Sequence, residues 1–176
     1  MRIALALGTA ALLFATAAQA ADRKIEDFVG RWIGSGQATQ GAAAAKATQS
    51  RDSEVVIEKA ADGFKISWTT MSSSVDDGSK SKVKTSSLTF KKGKAPNVYT
   101  DVKSGSATDG KKTTWARIWG STLSITQLVI AEDGQWDVTI YDRSLKDADH
   151  MNLAFKRITN GTVAREAALS MTRAKD

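Results

Sequence analysis

Apolar and polar residues alternate with a period of two along most of the chain, and this pattern predicts β-strands with one buried face. The clearest case is the segment 64–70, where Phe64, Ile66 and Trp68 fall on one face and polar residues on the other. No long segment with the 3.6-residue period of a helix competes with this pattern. We therefore expect an all-β chain, preceded by a short helical turn at residues 22–28.

Asx-Gly dipeptides separate the alternating segments and predict where the chain reverses direction. Type I′ turns need positive φ at both central residues, which makes these dipeptides a strong hairpin signal. They occur at Asp62-Gly63, Asp77-Gly78, Asp109-Gly110, Asp133-Gly134 and Asn160-Gly161. Repeated reversals of this kind predict a single up-and-down antiparallel β-barrel of about 8–10 strands.

Ten candidate strands follow from the alternation and the turns. They span residues 30–40, 52–59, 64–70, 80–91, 97–103, 113–119, 122–130, 135–142, 149–158 and 162–173. The last segment is rich in alanine and also fits a helix, although its alternation favours a strand.

The first twenty residues have the pattern of a secretory signal peptide. Arg2 precedes an apolar stretch, and Ala18-Gln19-Ala20 matches a small-residue cleavage site. We expect residues 1–20 to be removed and residues 21–176 to form one barrel domain that is periplasmic or secreted. An uncleaved membrane anchor is the alternative. The chain contains no cysteine, so no disulfide contributes to its stability.

Positive charge is concentrated in one part of the chain. Residues 80–112 carry nine lysines against two aspartates. This block is interpreted as a solvated exterior that keeps strand edges unpaired, with attraction to an anionic membrane surface as the alternative. It lacks the clustered arginines and regularly placed aromatics of nucleic-acid binders, so no nucleic acid is expected. The sequence is compatible with a monomer or a homodimer.

Gly30 and Trp32, preceded by the short helical turn, resemble the opening of barrels in the calycin superfamily, which includes lipocalins and fatty-acid-binding proteins. In those families a tryptophan on the first strand closes the barrel floor, and an arginine from a late strand stacks over it. The residues that match are Trp32 and either Arg157 or Arg173. The resemblance implies an exported protein that holds a small hydrophobic or amphipathic ligand inside the barrel.

A narrower resemblance is to nitrobindins, whose barrels begin Gly-x-Trp-x-Gly-x-Gly. Gly30, Trp32, Gly34 and Gly36 occupy those positions. The resemblance implies haem ligation by His150, the only histidine of the chain. His150 also fits an ordinary turn residue beside two aspartates. The main interpretation has no cofactor and no metal, and haem is the alternative.

Six residues are the candidate ligand-binding side chains of the barrel: Trp68, Trp115, Arg117, Trp119, Trp136 and Phe155. Arg117 lies between Trp115 and Trp119 on the same face of the predicted strand. Pointing inward, it would hold a carboxylate or phosphate while the wall contacts an apolar tail. Pointing outward, it would be solvated between two surface tryptophans.

Motifs for catalysis are missing from the sequence. There is no cysteine nucleophile, no second histidine and no Gly-x-Ser-x-Gly elbow. We therefore expect a protein that is not an enzyme and has no catalytic residues. Besides the haem alternative, a ligand-free envelope interaction module acting through its lysine-rich face remains open.

Overall fold

The computed structural model describes residues 22–40, 47–73 and 82–175. The predicted signal peptide and the Asp77-Gly78 dipeptide lie outside these residues. Within them, a short helix α1 (Ile25–Phe28) is followed by ten strands: β1 (Gly30–Gln40), β2 (Ala47–Ala60), β3 (Gly63–Ser73), β4 (Lys82–Lys92), β5 (Val98–Asp101), β6 (Thr113–Trp119), β7 (Thr122–Ile130), β8 (Trp136–Leu145), β9 (His150–Thr159) and β10 (Thr162–Arg173). No helix in the described ranges is long and apolar enough to cross a membrane.

Each strand pairs antiparallel with its neighbours in sequence, and β1 also pairs with β10, which closes the barrel. The predicted all-β up-and-down barrel is therefore confirmed. The alanine-rich segment 162–173 forms β10 rather than a helix, because it pairs with β9 on one side and β1 on the other.

The turns agree only in part with the predicted type I′ geometry. Asn160 and Gly161 both have positive φ, at 48° and 81°. In the other described Asx-Gly dipeptides only the glycine does. Asp109-Gly110 ends a 3₁₀ turn at Ala107–Asp109 inside the long β5–β6 connection. The β5–β6 and β7–β8 connections are longer than two residues and have a left-handed glycine at one position, whereas Gly63, with φ of 152°, is already the first residue of β3. The dipeptide therefore marks the reversal without fixing the turn type.

The two ends of the barrel differ. One end, which we call the floor, carries α1 and the turns after β2, β6 and β8. Ile25 and Phe28 of α1 are buried against it. The interior near the floor is filled by a contiguous apolar core: Trp32, Val55, Ile57, Phe64, Ile66, Phe90, Tyr99, Ala116, Ile118, Leu123, Ile125, Leu145, Met151 and Met171. The opposite end, which we call the mouth, is where β1, β3, β7 and β9 finish.

Trp32 and Arg173 close the floor. The Arg173 guanidinium lies 4.2 Å from the centre of the Trp32 ring. It also donates hydrogen bonds to the carbonyl oxygens of Asp27, Val29 and Ala148. The Trp32 indole N–H donates to the Phe28 carbonyl at 2.9 Å. Of the two arginines that the calycin resemblance offered, Arg173 occupies the stacking position; Arg157 lies at the mouth.

The glycines of the opening motif are needed for this geometry. Gly30 has φ of +135°, and a Cβ atom there would lie 2.5 Å from Nη1 of Arg173. A Cβ atom at Gly36 would collide with the backbone of Ala168 and Leu169 on β10. Glycine at these positions therefore lets Arg173 reach the floor and lets β1 and β10 approach.

We expect Arg173→Leu to lower the free energy of unfolding by about 2–4 kcal/mol, because it removes a stacked cation and leaves three carbonyl groups without their donor. Chemical denaturation monitored by tryptophan fluorescence measures this change. Arg31→Leu, which removes an exposed arginine of the first strand, is the control. Equal stability of the two variants would contradict the role assigned to Arg173.

Candidate ligand-binding cavity

A cavity of about 400 Å³ occupies the half of the barrel nearer the mouth. This volume is within the range of small-molecule sites. A ten-stranded barrel is wider than its own side chains fill, and here the apolar core fills only the part nearer the floor. The cavity is lined by Ala38, Arg51, Ser53, Val55, Trp68, Thr70, Lys84, Ser86, Lys112, Gln127, Val129, Asp137, Thr139, Tyr141, Arg143, Leu153, Phe155, Arg157, Arg165, Ala167 and Leu169.

Three aromatic side chains form a continuous wall of the cavity. The ring centres of Trp68 and Tyr141 are 5.4 Å apart, and those of Tyr141 and Phe155 are 5.0 Å apart. Trp68 belongs to β3, which lies directly across the ring of strands from β8 and Tyr141. Burial raises the pKa of the Tyr141 hydroxyl, so this group keeps its proton at neutral pH. The wall offers apolar surface with one hydrogen-bonding group.

Arg143 lies where the packed core meets the cavity. Only 1% of the residue is exposed, and its guanidinium carbon lies 5.5 Å from the Tyr141 ring centre and 5.8 Å from that of Trp68. Within the described residues, its Nε and Nη1 atoms have no hydrogen-bond partner. Burial lowers the pKa of Arg143 to about 10, so the side chain is still a cation at neutral pH.

The inward face of β8 explains how Arg143 reaches this position. Tyr141 and Arg143 alternate with outward residues, and Leu145 continues the same face into the core. Leu123 on β7 and Leu153 on β9 lie directly opposite Arg143 in the register. Apolar neighbours on both sides offer no acceptor to its Nε and Nη1 atoms, and the residue is part of the cavity lining.

The mouth is rich in positive charge. Arg51, Lys84, Lys112, Arg157 and Arg165 line it, and Asp137 is the one carboxylate among the described lining residues. Asp137 accepts two hydrogen bonds from Arg157, at 2.6 and 3.2 Å, and one from Thr159. The bonds from Arg157 and Thr159 lower the pKa of Asp137, and the same carboxylate raises the pKa of Arg157.

Two of the predicted ligand-binding residues line the cavity, and four do not. Trp68 and Phe155 belong to the aromatic wall. Trp115, Trp119 and Trp136 are 36%, 51% and 37% exposed, and Arg117 is exposed as well. The interior positions of β6 are instead Thr114, Ala116 and Ile118. These four side chains therefore lie outside the barrel, which for Arg117 is the outward alternative.

The physical reason is that the polar face points inward on parts of this barrel. On β8 the apolar face with Trp136, Val138 and Ile140 lies outside, while Asp137, Thr139 and Tyr141 face the cavity. Alternation reveals two faces but not which of them is interior, because a cavity with polar lining residues reverses the usual rule. Outside the barrel, Trp115, Arg117 and Trp119 line a surface cleft of about 390 Å³ with Ser124 and Thr126.

Sequence reasoning missed Arg143 because the predicted strand ended at residue 142. Extending the alternation to Leu145 would have placed Tyr141, Arg143 and Leu145 on one face. Because Leu145 is apolar, this face would then have been the candidate interior face. The predicted chemistry, an inward arginine among aromatic rings, occurs at Arg143 rather than at Arg117.

His150 begins β9 with its side chain outside the barrel, since Met151 is the residue that points inward. Its Nδ1 atom lies 2.9 Å from both carboxylate oxygens of Asp147. The lowered pKa of Asp147 reflects hydrogen bonds from the Asp149 backbone and the His150 side chain. In this position the ring does not reach the cavity. No cluster of three metal-binding side chains occurs within the described ranges.

No protein-family model matches the sequence, and no curated protein matches it. Several solved structures do. The S-type phycobiliprotein lyase CPES from Guillardia theta is 16% identical, with 86% of this chain and 91% of that chain covered and a TM-score of 0.46. A protein of unknown function from the DUF3598 family of Nostoc punctiforme PCC 73102 is 12% identical, with 87% and 51% covered and a TM-score of 0.52. Rv2717c from M. tuberculosis is 13% identical, with 86% and 95% covered and a TM-score of 0.48.

The likeness to the DUF3598 protein shows the fold, a ten-stranded antiparallel barrel of calycin-like type. This chain spans about half the length of that protein. The calycin resemblance is thus confirmed for the type of barrel, while the match to nitrobindins stays a prediction.

One sequence-based prediction is corrected by these comparisons. The lack of catalytic motifs led us to expect a protein that is not an enzyme. A chain named as a lyase is nevertheless among the similar structures, and the expectation is withdrawn. At 16% identity, the likeness does not transfer lyase activity to this chain.

We expect Arg143→Met to raise the free energy of unfolding of the ligand-free protein by about 1–4 kcal/mol, because it replaces a buried, unpaired cation with an apolar side chain. Guanidinium denaturation of delipidated protein measures the change. The matched control is Arg117→Met on the outer surface, where we expect a change within about 0.5 kcal/mol. Destabilisation by Arg143→Met would mean that its aromatic contacts hold the barrel together.

Proposed function

We propose that this protein binds a small amphipathic anion inside the barrel. The anionic group, a carboxylate or phosphate, bonds to the guanidinium of Arg143, and the apolar part of the ligand lies against Trp68, Tyr141 and Phe155. The observation that carries the proposal is the buried guanidinium of Arg143, whose Nε and Nη1 atoms have no partner in the described part of the chain.

A buried cation with unbonded N–H groups costs free energy in the ligand-free protein. A carboxylate in the cavity would supply both the opposite charge and two acceptor oxygens, the geometry to which a guanidinium is best suited. Because water is displaced from an aromatic-walled site, the interaction is stronger there than at the surface. The unbonded guanidinium of Arg143 thus makes the ligand-free barrel less stable and, for the same reason, favours binding of an anion.

The dimensions of the cavity agree with this ligand class. A volume of about 400 Å³ suits a medium-length acyl chain or a compact aromatic acid rather than a bulky lipid with two tails. Lysines and arginines around the mouth would draw an anion toward the opening before it contacts Arg143.

We also propose that the barrel acts after export, with residues 1–20 as the cleaved leader. The sequence pattern of that segment supports this location. Mass spectrometry of protein isolated from the periplasm of an expressing cell would give the N-terminal residue of the mature chain, expected to be Ala21.

Binding of dansyl-undecanoic acid, followed by the increase in dansyl fluorescence, tests the proposed function. We expect Arg143→Met to weaken binding by about tenfold or more, because the carboxylate loses its only buried cationic partner among the described residues. Arg117→Met, an equivalent change on the outside of the barrel, should leave the affinity unchanged.

Competition with dodecanoate and with its methyl ester completes this experiment. Dodecanoate should displace the probe from the native protein better than the ester does, and Arg143→Met should abolish that difference. Equal binding of acid and ester to the native protein would contradict an anion site at Arg143.

A further inference from the structure

The mouth of the cavity holds a second group of cationic side chains, separate from Arg143. Arg165 on β10 lies opposite Arg157 on β9 in the strand register, and both side chains line the cavity. Arg51 reaches the same cavity from β2. Like charges directly opposite each other on one face of a sheet are destabilising. Such a cluster therefore gains stability when an anion lies between its members.

Asp137 compensates this charge only in part. Its two carboxylate oxygens are already bonded to Arg157, and one of them also to Thr159. Within the described ranges, neither Arg51 nor Arg165 forms an ion pair, and Arg51 donates to the neutral side chain of Gln49 at 3.2 Å. Among the described residues, these two guanidinium groups at the mouth thus have no carboxylate partner.

The strand register gives the separation between the two cationic positions. Arg143 lies level with Leu153 on β9, and Arg157 follows four residues later on the same strand. At about 3.3 Å per residue, the two levels are roughly 13 Å apart along the strand. The wall between them includes Tyr141 and Phe155, so an apolar stretch of the cavity joins one cationic end to the other.

We propose that the ligand of this cavity carries two anionic groups joined by an apolar spacer. One group bonds to Arg143 in the interior, and the other bonds to Arg51 and Arg165 at the mouth. This inference rests on the proposed function and narrows its ligand class from simple amphipathic acids to molecules with an acid at each end, of which α,ω-dicarboxylates are the simplest.

The test compares dodecanoate with dodecanedioate, two acids of equal chain length, in displacing dansyl-undecanoic acid. A second charge buried without a partner would weaken binding of the diacid. With a cationic mouth, we expect the diacid to bind the native protein about tenfold or more tightly than the monoacid. This first comparison needs no variant, so it does not depend on how well a variant folds.

Variants then locate the second site. The double variant Arg51→Gln with Arg165→Gln should reduce the affinity for the diacid to that for the monoacid and leave monoacid binding unchanged. Lys91→Gln, an exposed lysine of β4, is the control for a general loss of positive charge and should leave both affinities unchanged. Arg143→Met should weaken the binding of both acids.

Three results would overturn the inference. If the diacid binds no better than the monoacid while Arg143→Met still weakens the monoacid, the second site is wrong and the proposed function stands. If the double variant weakens the binding of both acids equally, Arg51 and Arg165 do not bind the second acid group of the diacid. If neither acid binds the native protein, the proposed function fails and the inference fails with it.

Discussion

The closed floor of the barrel depends on one interaction, the stacking of the Arg173 guanidinium over the indole of Trp32. Arg173 is the last residue of the last strand, and Trp32 lies near the start of the first. Their contact therefore joins the two ends of the sheet, and the hydrogen bonds of Arg173 fix α1 across the opening. With this end closed and packed, the remaining interior space is confined to the mouth half, where a ligand would enter.

Arg173 and Arg143 are in opposite situations, although both guanidinium groups lie near aromatic rings. The N–H groups of Arg173 are bonded to backbone carbonyl oxygens, and the residue is part of the structural framework. Arg143 has aromatic rings near its face but no acceptor for Nε or Nη1 within the described residues. A cation kept in this state costs stability without closing any gap in the fold. A ligand anion would provide what the folded chain does not.

The sequence predicted the fold well because alternation and turn residues are local signals. Strands β6, β7 and β10 begin and end at the predicted residues. The pair Gly30 and Trp32 correctly indicated that one end of the barrel is closed. The cavity was predicted less well. Which face of β6 or β8 is interior depends on the closure of all ten strands, and the apolar tryptophans Trp115 and Trp136 lie on the outer surface. Trp68 and Phe155 were found because the faces of β3 and β9 continue directly into the apolar core.

The distribution of charge also became interpretable only in three dimensions. The lysine-rich block 80–112 suggested a solvated exterior, and exposed Lys91 and Lys103 agree with that interpretation. Lys84 and Lys112 instead line the mouth, together with arginines that come from three other strands. Residues far apart in the sequence thus combine into one cationic opening, which no local pattern could have predicted.

A crystal structure of the protein in complex with dodecanoate tests the role of Arg143 most directly. If Arg143 binds the anion, the carboxylate will lie within hydrogen-bond distance of the Arg143 Nε and Nη atoms, with the acyl chain against Trp68, Tyr141 and Phe155. A carboxylate bound at the mouth or on the outer surface, with Arg143 still unbonded, would contradict that role.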